Sequence, residues 1–267
     1  FKDHIFAYGG DDTLIGSDIT EDQFYGGSGN DTMTGLSGND RFRGDGGDDT
    51  MHGGDGNDML RYDRSTEGVT VDLSNQGVGQ FISLSQGTDT FTSIEWVRAS
   101  NYDDVIMGDG AANRIEGRSG NDEIHGGGGD DNLRGENGND VIYGGAGNNW
   151  LDGGNGDDSI TGGLGDDGAW GGDGNDTYAM GEAANDWDHL QYGGLSNGIS
   201  VTMTADGMGT TSKNGGLETD SFSGVEGVDG TEFNDVLTGH DGDDHLAGAG
   251  GDDTIDGGAG WNNLFGG

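Results

Sequence analysis

The stretch GGSGNDTMTGLSGNDRFRGDGGDDTMHGGDGNDMLR, from Gly26 to Arg61, consists of four consecutive nine-residue repeats. Each repeat has glycine at its first and fourth places, aspartate at its sixth place and one apolar residue at its eighth place. Because glycine adopts positive φ angles without strain, the first six places are predicted to form a tight turn. The last three places set one apolar residue between two mostly polar ones, which predicts a three-residue strand whose middle side chain faces inward.

The same nonapeptide recurs along the chain in about nineteen copies. The copies fall into three blocks, at residues 7–61, 99–179 and 230–267. Two consecutive repeats would complete one coil, so that repeat i stacks on repeat i+2 and the strands form two parallel sheets. The eighth-place residues would then form a thin core between these sheets: Met33, Phe42, Met51, Leu60, Ile115, Ile124, Leu133, Ile142, Leu151, Ile160, Leu237, Leu246, Ile255 and Leu264.

The composition is unusual for a folded protein. Glycine accounts for 62 of the 267 residues, proline and cysteine are absent, hydrophobic residues make up 29% and the formal net charge is -41. Such low hydrophobicity and high charge are typical of disordered chains, unless another source of free energy stabilises the fold. The lack of cysteine excludes disulfide scaffolds and thiolate zinc sites. The acidity argues against nucleic acid as a partner, and no apolar run is long enough to span a membrane.

The regular spacing of the aspartates indicates a metal site. Stacked turns would bring sixth-place carboxylates about 4.8 Å apart, where like charges repel and disfavour ionisation. A hard cation between the turns reverses the sign of that interaction. Calcium suits the site because it binds 6–8 oxygen ligands and accepts both carboxylates and backbone carbonyls, whereas magnesium requires a strict octahedron and zinc prefers His or Cys.

The repeat resembles the RTX (repeats-in-toxin) family of haemolysin-type calcium-binding proteins, with the consensus G-G-x-G-x-D-x-U-x, over about two thirds of the chain. This resemblance implies an all-β fold, a right-handed parallel β-roll or β-helix solenoid that is continuous over residues 1–267. It also implies that each ion is held by carbonyls of places one and three of one turn, carbonyls of places two and four of the turn two repeats on, and both sixth-place side chains. One such ion would lie between the turn of Gly126, Gly128 and Asp131 and the turn at 144–147.

Carried onto this sequence, the family's ligand set covers the glycine-rich turns of the second block and the sixth-place aspartates of all three blocks. The implied metal ligands are Asp31, Asp40, Asp49, Asp58, Asp104, Asp122, Gly126, Gly127, Gly128, Gly129, Asp131, Gly135, Glu136, Asn137, Gly138, Asp140, Gly144, Gly145, Ala146, Gly147, Gly153, Gly154, Asn155, Gly156, Asp158, Gly162, Gly163, Leu164, Gly165, Asp167, Gly171, Gly172, Asp173, Gly174, Asp176, Asp235, Asp244 and Asp253. Paired turns give roughly a dozen potential calcium ions. Asn113, Asn149 and Asn263 are read as sixth-place departures whose lost charge predicts weaker or empty sites.

Two spacers, at 62–98 and 180–229, interrupt the repeat and resemble each other. The first contains TDTFTSIEWV and the second TDSFSGVEGV before the nonapeptide resumes. Apolar residues alternate in both spacers, which predicts half-buried strands. These residues are Val69, Val71 and Leu73 in the first spacer, and Ile199, Val201 and Met203 in the second. We interpret the spacers as wider coils of the same solenoid.

No catalytic constellation is apparent, so the chain is not expected to be an enzyme. The G-x-S-x-G match GLSNG, at 194–198, precedes a strand, whereas a hydrolase elbow follows one and leads into a helix. The zinc-protease pattern H-E-x-x-H is absent. His240 and His245 are expected to be solvated side chains and not ligands.

The resemblance predicts a calcium-binding RTX module of a secreted bacterial protein, exported by the type I route, that folds on calcium outside the cell and serves as a structural or secretion scaffold. The chain begins and ends within the pattern, so we expect an attached catalytic or adhesive domain. The alternative is an adhesin-type or carbohydrate-binding module attached to a polysaccharide-modifying enzyme, at the cell surface or in contact with extracellular polysaccharide. For that role the candidate surface is the face of Arg41, Arg43 and Arg61, which otherwise relieves acidic repulsion.

Overall fold

The computed structural model describes residues 3–181, 187–204 and 207–267. The chain forms two compact units, residues 1–127 and 128–267. In the described ranges every element is a β-strand apart from one short 3-10 helix, Leu73–Asn75. None of the described segments is a helix of the length and apolarity that a membrane crossing requires.

The first unit contains strands β1 to β13 and all of β14 but its last residue. Their bounds are β1 His4–Phe6, β2 Thr13–Ile15, β3 Gln23–Ser28, β4 Thr32–Ser37, β5 Arg41–Gly46, β6 Thr50–Asp55, β7 Met59–Arg61, β8 Thr70–Asp72, β9 Gln80–Ser83, β10 Gly87–Thr92, β11 Trp96–Arg98, β12 Val105–Met107, β13 Arg114–Ser119 and β14 Glu123–Gly128.

The second unit contains strands β15 to β29. Their bounds are β15 Asn132–Asn137, β16 Val141–Ala146, β17 Trp150–Asn155, β18 Ser159–Leu164, β19 Gly168–Asp173, β20 Thr177–Ala179, β21 His189–Gln191, β22 Ser200–Met203, β23 Gly209–Lys213, β24 Glu218–Ser223, β25 Gly227–Asp229, β26 Val236–Thr238, β27 His245–Ala247, β28 Thr254–Asp256 and β29 Asn263–Phe265.

Successive repeats alternate between sheets in both units. In the first unit the sheet orders are β1-β3-β5-β7-β11-β13, β2-β4-β6-β10-β9 and β8-β12-β14. In the second unit they are β15-β17-β19-β21-β25-β27-β29 and β16-β18-β20-β24-β23-β22-β26-β28. Each strand of the repeat blocks therefore pairs with the strand two repeats away, which is the pairing of a parallel β-roll.

The register of these pairs repeats every 18 residues. Met33 lies opposite Met51 between β4 and β6. In the second unit Leu133 lies opposite Leu151, and Ile142 lies opposite Ile160. Identical places of repeats i and i+2 thus face each other, which confirms the predicted stacking and the all-β parallel fold class.

The strands of the regular repeats are longer than predicted. β3 to β6 and β13 to β19 each span six residues, so the strand continues through the first three places of the next nonapeptide. The paired positions include Glu136 with Gly154 and Gly145 with Gly163. Because identical turns lie directly over one another, their backbones hydrogen-bond in register despite the low strand propensity of glycine. Three-residue strands occur next to the spacers and in the first and last repeats.

The predicted core is buried with two exceptions. From Met33 to Ile160, and at Leu237 and Leu246, every predicted eighth-place side chain is at most 1% exposed. Phe24 and Phe42 stack in neighbouring coils with ring centroids 4.9 Å apart. Leu264 is 46% exposed and Ile255 is only half-buried. The prediction for these two was wrong because β28 and β29 each end their sheet and have only one neighbouring strand.

The spacers contribute coils to the same sheets within each unit. In the first spacer β10 pairs in parallel with β6, and β11 lies between β7 and β13. In the second spacer β24 pairs in parallel with β20, and β25 lies between β21 and β27. Antiparallel pairing occurs between β9 and β10, β22 and β23, and β23 and β24. The six alternating apolar residues of the two spacers are buried, as predicted.

Candidate metal-binding turns

One oxygen of each sixth-place aspartate joins neighbouring coils. The backbone N–H of Asp31 donates to Oδ1 of Asp49 at 2.8 Å, and the N–H of Asp140 donates to Oδ1 of Asp158 at the same distance. The same bond links Asp12 to Asp31, Asp22 to Asp40, Asp40 to Asp58, Asp104 to Asp122, Asp158 to Asp176 and Asp235 to Asp253. Each aspartate therefore caps the turn of the preceding coil through Oδ1, which leaves Oδ2 for another partner.

The second carboxylate oxygen is buried without a hydrogen bond in several of these residues. The Oδ2 atoms that have no partner include those of Asp31, Asp40, Asp49, Asp58, Asp158 and Asp253. Asp40 and Asp58 are fully buried, and Asp158 is 2% exposed. A buried carboxylate oxygen with no donor is costly unless a cation compensates its charge. These orphaned oxygens are therefore what a bound metal ion would satisfy.

The first-place glycines leave room for a group of oxygens. A Cβ atom on Gly26 would lie 2.8 Å from the carbonyl oxygen of Gly44 and closer still to Oδ2 of Asp31. In the second unit a Cβ on Gly135 would lie 2.7 Å from the carbonyl oxygen of Gly153 and would also collide with Oδ2 of Asp140. The sixth-place carboxylate and the first-place carbonyl of the next coil therefore converge where only glycine fits.

The other turn carbonyls are also ordered by stacking. The N–H of Gly29 donates to the third-place carbonyl of Gly46 at 2.9 Å, and the N–H of Gly138 donates to that of Asn155 at 2.9 Å. Gly47 has a φ of 142°, and its backbone packs directly on the carbonyl oxygen of Gly29. The donor set that lines the turns is thus made of oxygens, which is the set that calcium prefers.

Burial raises the pKa of these carboxyl groups. The pKa of Asp49 is raised to about 6 and that of Asp58 to about 7, first by desolvation and then by the charges of neighbouring acids such as Asp31 and Asp40. Desolvation and the charges of Asp176 and Asp140 raise the pKa of Asp158 to about 8, although a backbone hydrogen bond opposes the shift. Burial in the stacked turns therefore favours the protonated form of these carboxyl groups. A bound divalent cation would favour the ionised form instead.

The predicted ligands lie in turns of both units. Gly126, Gly127 and the aspartates up to Asp122 belong to the first unit, and the residues from Gly128 onward belong to the second. The turns at 135–138, 144–147, 153–156, 162–165 and 171–174 stack in register with their sixth-place residues buried. The assignment of individual residues as metal ligands stays a prediction.

Three predicted ligands differ from the others because the residue four positions earlier in the chain contacts both of their carboxylate oxygens. Ser100 donates its backbone N–H to Oδ2 and its hydroxyl to Oδ1 of Asp104. Thr231 makes the same two bonds to Asp235. Oδ2 of Asp244 accepts from the N–H of His240, and the imidazole Nδ1 of His240 contacts Oδ1. The expectation that His240 is a free solvated side chain was therefore wrong.

The remaining candidate side chains of the sequence lie in different turns, strands and grooves. Ser196 is exposed in the turn before β22, where its hydroxyl contacts the side chain of Asn197. His245 lies on the outer side of β27 with its ring 5.1 Å from that of His189. Arg43 and Arg61 line one groove, whereas Arg41 lines another with Trp96.

Sequence reasoning missed acids in the spacers that occupy sixth-place positions. The N–H of Asp49 donates to Oδ1 of Asp89, and that of Asp176 donates to Oδ1 of Asp220. Glu95 accepts in the same way from Asp58. The signal was an acid immediately before each x-U-x strand of the spacers, as in TDTFT and TDSFS.

The prediction that Asn263 occupies a sixth place was wrong. The sixth place of the turn at 257–262 is Asn262, because its Oδ1 accepts from the N–H of Asp244, whereas Asn263 is in β29.

A second ladder at the fifth place was also missed. Oδ1 of Asn30 accepts from the N–H of Asp48 at 2.9 Å, and Oδ1 of Asn39 accepts from the N–H of Asn57 at 3.0 Å. In the second unit Oδ1 of Asp157 accepts from the N–H of Asn175 at 2.8 Å. These side chains are exposed and cap the following coil, the opposite direction to the sixth-place ladder. The near-constant Asn or Asp at place five carried this signal.

Within the described ranges no three His, Asp or Glu side chains converge as a metal-binding cluster. The ligand set implied by the resemblance would not contain such a cluster, because it has one carboxylate from each of two turns and otherwise backbone carbonyls. A family model described as RTX calcium-binding nonapeptide repeat (4 copies) matches more than two thirds of the chain, at residues 2–18, 25–60, 89–124, 98–133, 107–142, 125–160, 143–178, 221–255 and 239–267. No curated protein matches the sequence.

Proposed function

Since this chain belongs to the RTX calcium-binding nonapeptide repeat family, we propose that it is the calcium-dependent structural module of a secreted protein. The module is stabilised by calcium ions that bind between its stacked turns, and it carries no catalytic site of its own. It serves as a folding and secretion scaffold for an attached domain that does other work.

The observation that carries this proposal is the row of buried Oδ2 atoms with no hydrogen-bond donor. In the first unit the turns at 26–31 and 44–49 would hold an ion, and in the second unit the turns at 135–140 and 153–158 would do so. Bound calcium supplies positive charge to carboxylates whose pKa is otherwise raised by burial. The same reasoning supports roughly a dozen ions over the whole chain.

The net charge of -41 couples binding to folding. A chain with this much like charge and only 29% hydrophobic residues is expected to stay unfolded where calcium is scarce. Calcium that binds only the folded form stabilises it by mass action. An unfolded chain inside the cell is suited to passage through a type I secretion channel, and the higher calcium concentration outside would then drive folding.

Circular dichroism with and without calcium tests the proposal. We expect β-structure in millimolar calcium and coil in excess chelator. The variant Asp31→Ala/Asp49→Ala should raise the calcium midpoint of folding. The matched variant Asp18→Ala/Asp55→Ala removes the same charge from exposed positions and should leave the midpoint unchanged. A chelated protein with unchanged β-structure would contradict the proposal.

A groove of about 610 Å³ in the first unit favours a second function, the binding of an acidic polysaccharide. Its walls include Tyr8, which is 82% exposed, and Tyr25, whose ring lies 4.5 Å from the guanidinium of Arg43. Arg61 and the exposed Arg64 add two further cations. Aromatic faces and guanidinium groups together suit anionic sugars, although Asp45 and Asp63 pair with two of the arginines.

A glycan array in calcium, with the variant Arg61→Ala/Arg64→Ala, tests this second function. Binding to acidic glycans that this variant abolishes would support a carbohydrate-binding module. Arg134→Ala is the control, because this partly exposed side chain does not line the groove. An array without any calcium-dependent binding would remove this candidate.

A further inference from the structure

Lys213 is an unusual residue in this acidic chain. It is one of only two lysines in the sequence, with Lys2, and it ends strand β23 in the second spacer. Its side chain is fully buried, whereas the arginine side chains in the described ion pairs are 7% to 42% exposed. A buried ammonium group requires partners of opposite charge.

The partners of Lys213 are the oxygens of two stacked turns. Its Nζ donates to Oδ2 of Asp176 at 2.9 Å and lies 2.8 Å from Oδ1 of Asp220. It also donates to the carbonyl oxygen of Gly172 at 2.8 Å. Asp176 and Asp220 are consecutive members of the sixth-place ladder, since the N–H of Asp176 donates to Oδ1 of Asp220 at 3.0 Å. Gly172 is the second place of the turn that Asp176 closes.

The ammonium group is thus surrounded by the same kinds of oxygen atom as the proposed metal positions of the other turns. Two sixth-place carboxylates and one turn carbonyl converge on a single positive charge. Burial by itself lowers the pKa of Lys213, but the hydrogen bonds and charges of Asp220 and Asp176 outweigh it and raise the pKa above its ordinary value. The group is therefore a permanent cation at neutral pH.

The corresponding turns of the first spacer contain no such cation. Asp49 and Asp89 stack in the same way, but Oδ2 of Asp49 has no hydrogen-bond partner and Oδ2 of Asp89 receives only the hydroxyl of Tyr62 at 3.1 Å. The hairpin strand β9 turns the apolar Ile82 inward and has no basic residue. Desolvation and the charge of Asp49 raise the pKa of Asp89 to about 8.

We propose that the ammonium group of Lys213 takes the place of a calcium ion between the turn at 171–176 and the coil of Asp220, whereas the equivalent turns of Asp49 and Asp89 bind an exchangeable calcium ion. This inference rests on the proposed calcium-binding function. It assigns Asp89, a spacer residue, as a calcium ligand and makes one inter-turn position independent of calcium. The second spacer would then keep its coil contacts at calcium concentrations where the first has lost its ion.

Native mass spectrometry of the full chain in calcium counts the bound ions directly. Lys213→Ala removes the ammonium group and leaves space beside both carboxylates, so we expect one more calcium ion than in the unmodified chain. Arg134→Ala is the matched control, because it removes the same charge from the outer face of β15, and its ion count should not change. A folded Lys213→Ala variant with an unchanged count would overturn the inference.

A second pair of variants decides the matter if Lys213→Ala does not fold. Asp89→Asn should lose one ion, whereas Asp220→Asn should keep the count of the unmodified chain because no calcium ion is lost with it. Loss of an ion from Asp220→Asn, or none from Asp89→Asn, would overturn the inference. If the unmodified chain binds no calcium at all, the proposed function itself fails, so the two failures are distinguishable.

Discussion

The two spacers are the same sequence module with different solutions to one electrostatic problem. Both stack an acid on a repeat of the preceding block, Asp89 on Asp49 and Asp220 on Asp176. In the second spacer Lys213 lies between the two carboxylates, whereas in the first a tyrosine hydroxyl is the only added donor. On the proposed calcium-binding function, the stacked fold requires neutralised carboxylates, and calcium is one of two ways to neutralise them.

The largest expected effect on folding is that of pH. Burial raises the pKa of Asp89 and Asp158 from 3.8 to about 8, and that of Asp58 from 3.8 to about 7. The folded chain therefore binds more protons than the unfolded chain between pH 3.8 and these raised values. The stability gained from protonation is complete below pH 3.8 and is lost as pH rises through 7 to 8. We therefore expect chelated protein that is coil at pH 8 to gain β-structure as it is acidified.

Calcium should reverse that dependence, because the metal requires deprotonated carboxylates and its affinity rises with pH. Circular dichroism at several pH values, with chelator and with calcium, measures both trends. β-structure in chelator that falls on acidification would contradict the assignment of the buried carboxylates.

The next largest effect should come from replacing the stacked aspartate of each spacer, Asp220 or Asp89, by asparagine. Asp220→Asn leaves a buried ammonium with one carboxylate, which should cost about 3 kcal/mol of unfolding free energy whatever the calcium concentration. Asp89→Asn removes an acid that needs an ion, so its cost should grow as calcium rises, to about 3 kcal/mol at a hundred times the dissociation constant. Urea unfolding at two saturating calcium concentrations measures both values. An equal calcium dependence of the unfolding free energy in the two variants would contradict the proposed difference between the spacers.

Repeat turns and spacer turns should differ in how well they tolerate a Cβ atom in place of glycine. In Gly135→Ala the new Cβ would collide with the carbonyl oxygen of Gly153, 2.7 Å away, and with Oδ2 of Asp140. We expect a loss of about 2 kcal/mol and a raised calcium midpoint, because the oxygens must move apart. Gly193→Ala in the second spacer is the control, since nothing lies within 4 Å of its Cβ position. Calcium titrations followed by circular dichroism distinguish the two.

The smallest effect should come from the tyrosine of the first spacer. Tyr62→Phe removes the donor to Oδ2 of Asp89 and should cost about 1 kcal/mol at low calcium. The cost should shrink at saturating calcium, where the ion satisfies the same carboxylate. Tyr102→Phe, at a 47% exposed position, should have no effect. A loss from Tyr62→Phe that does not depend on calcium would indicate a packing role alone.

The periodic part of this molecule was predictable because every coil has nearly the same neighbours. The pairing of Met33 with Met51 and the burial of Leu133 and Ile142 follow from the nonapeptide period alone. The strand lengths were not predictable from propensity, since glycine turns join the ladder only when identical turns lie above and below them. Ile255 has such a neighbour on one side only, and its burial fails for that reason.

The aperiodic part carried the less predictable chemistry. Lys213 is 37 residues from Asp176, and no repeat relates the two positions, so only the folded hairpin shows that they meet. The acids of the spacers were easier to recognise, because each precedes a strand as in the repeats. The fifth-place ladder was visible as a recurrent Asn or Asp, but its direction required the structure.

The opposed directions of the fifth- and sixth-place ladders give each coil two distinct faces. One face presents the Oδ1 acceptors of place five, such as Asn30, to the coil that follows. The same face presents the backbone N–H groups of place six, such as that of Asp31, to the sixth-place side chain of the following coil. A folded coil is therefore a template whose hydrogen-bonding groups select the register of the coil added to it. Growth of the stack then resembles the elongation of a one-dimensional polymer, in which each addition renews the surface that accepts the next.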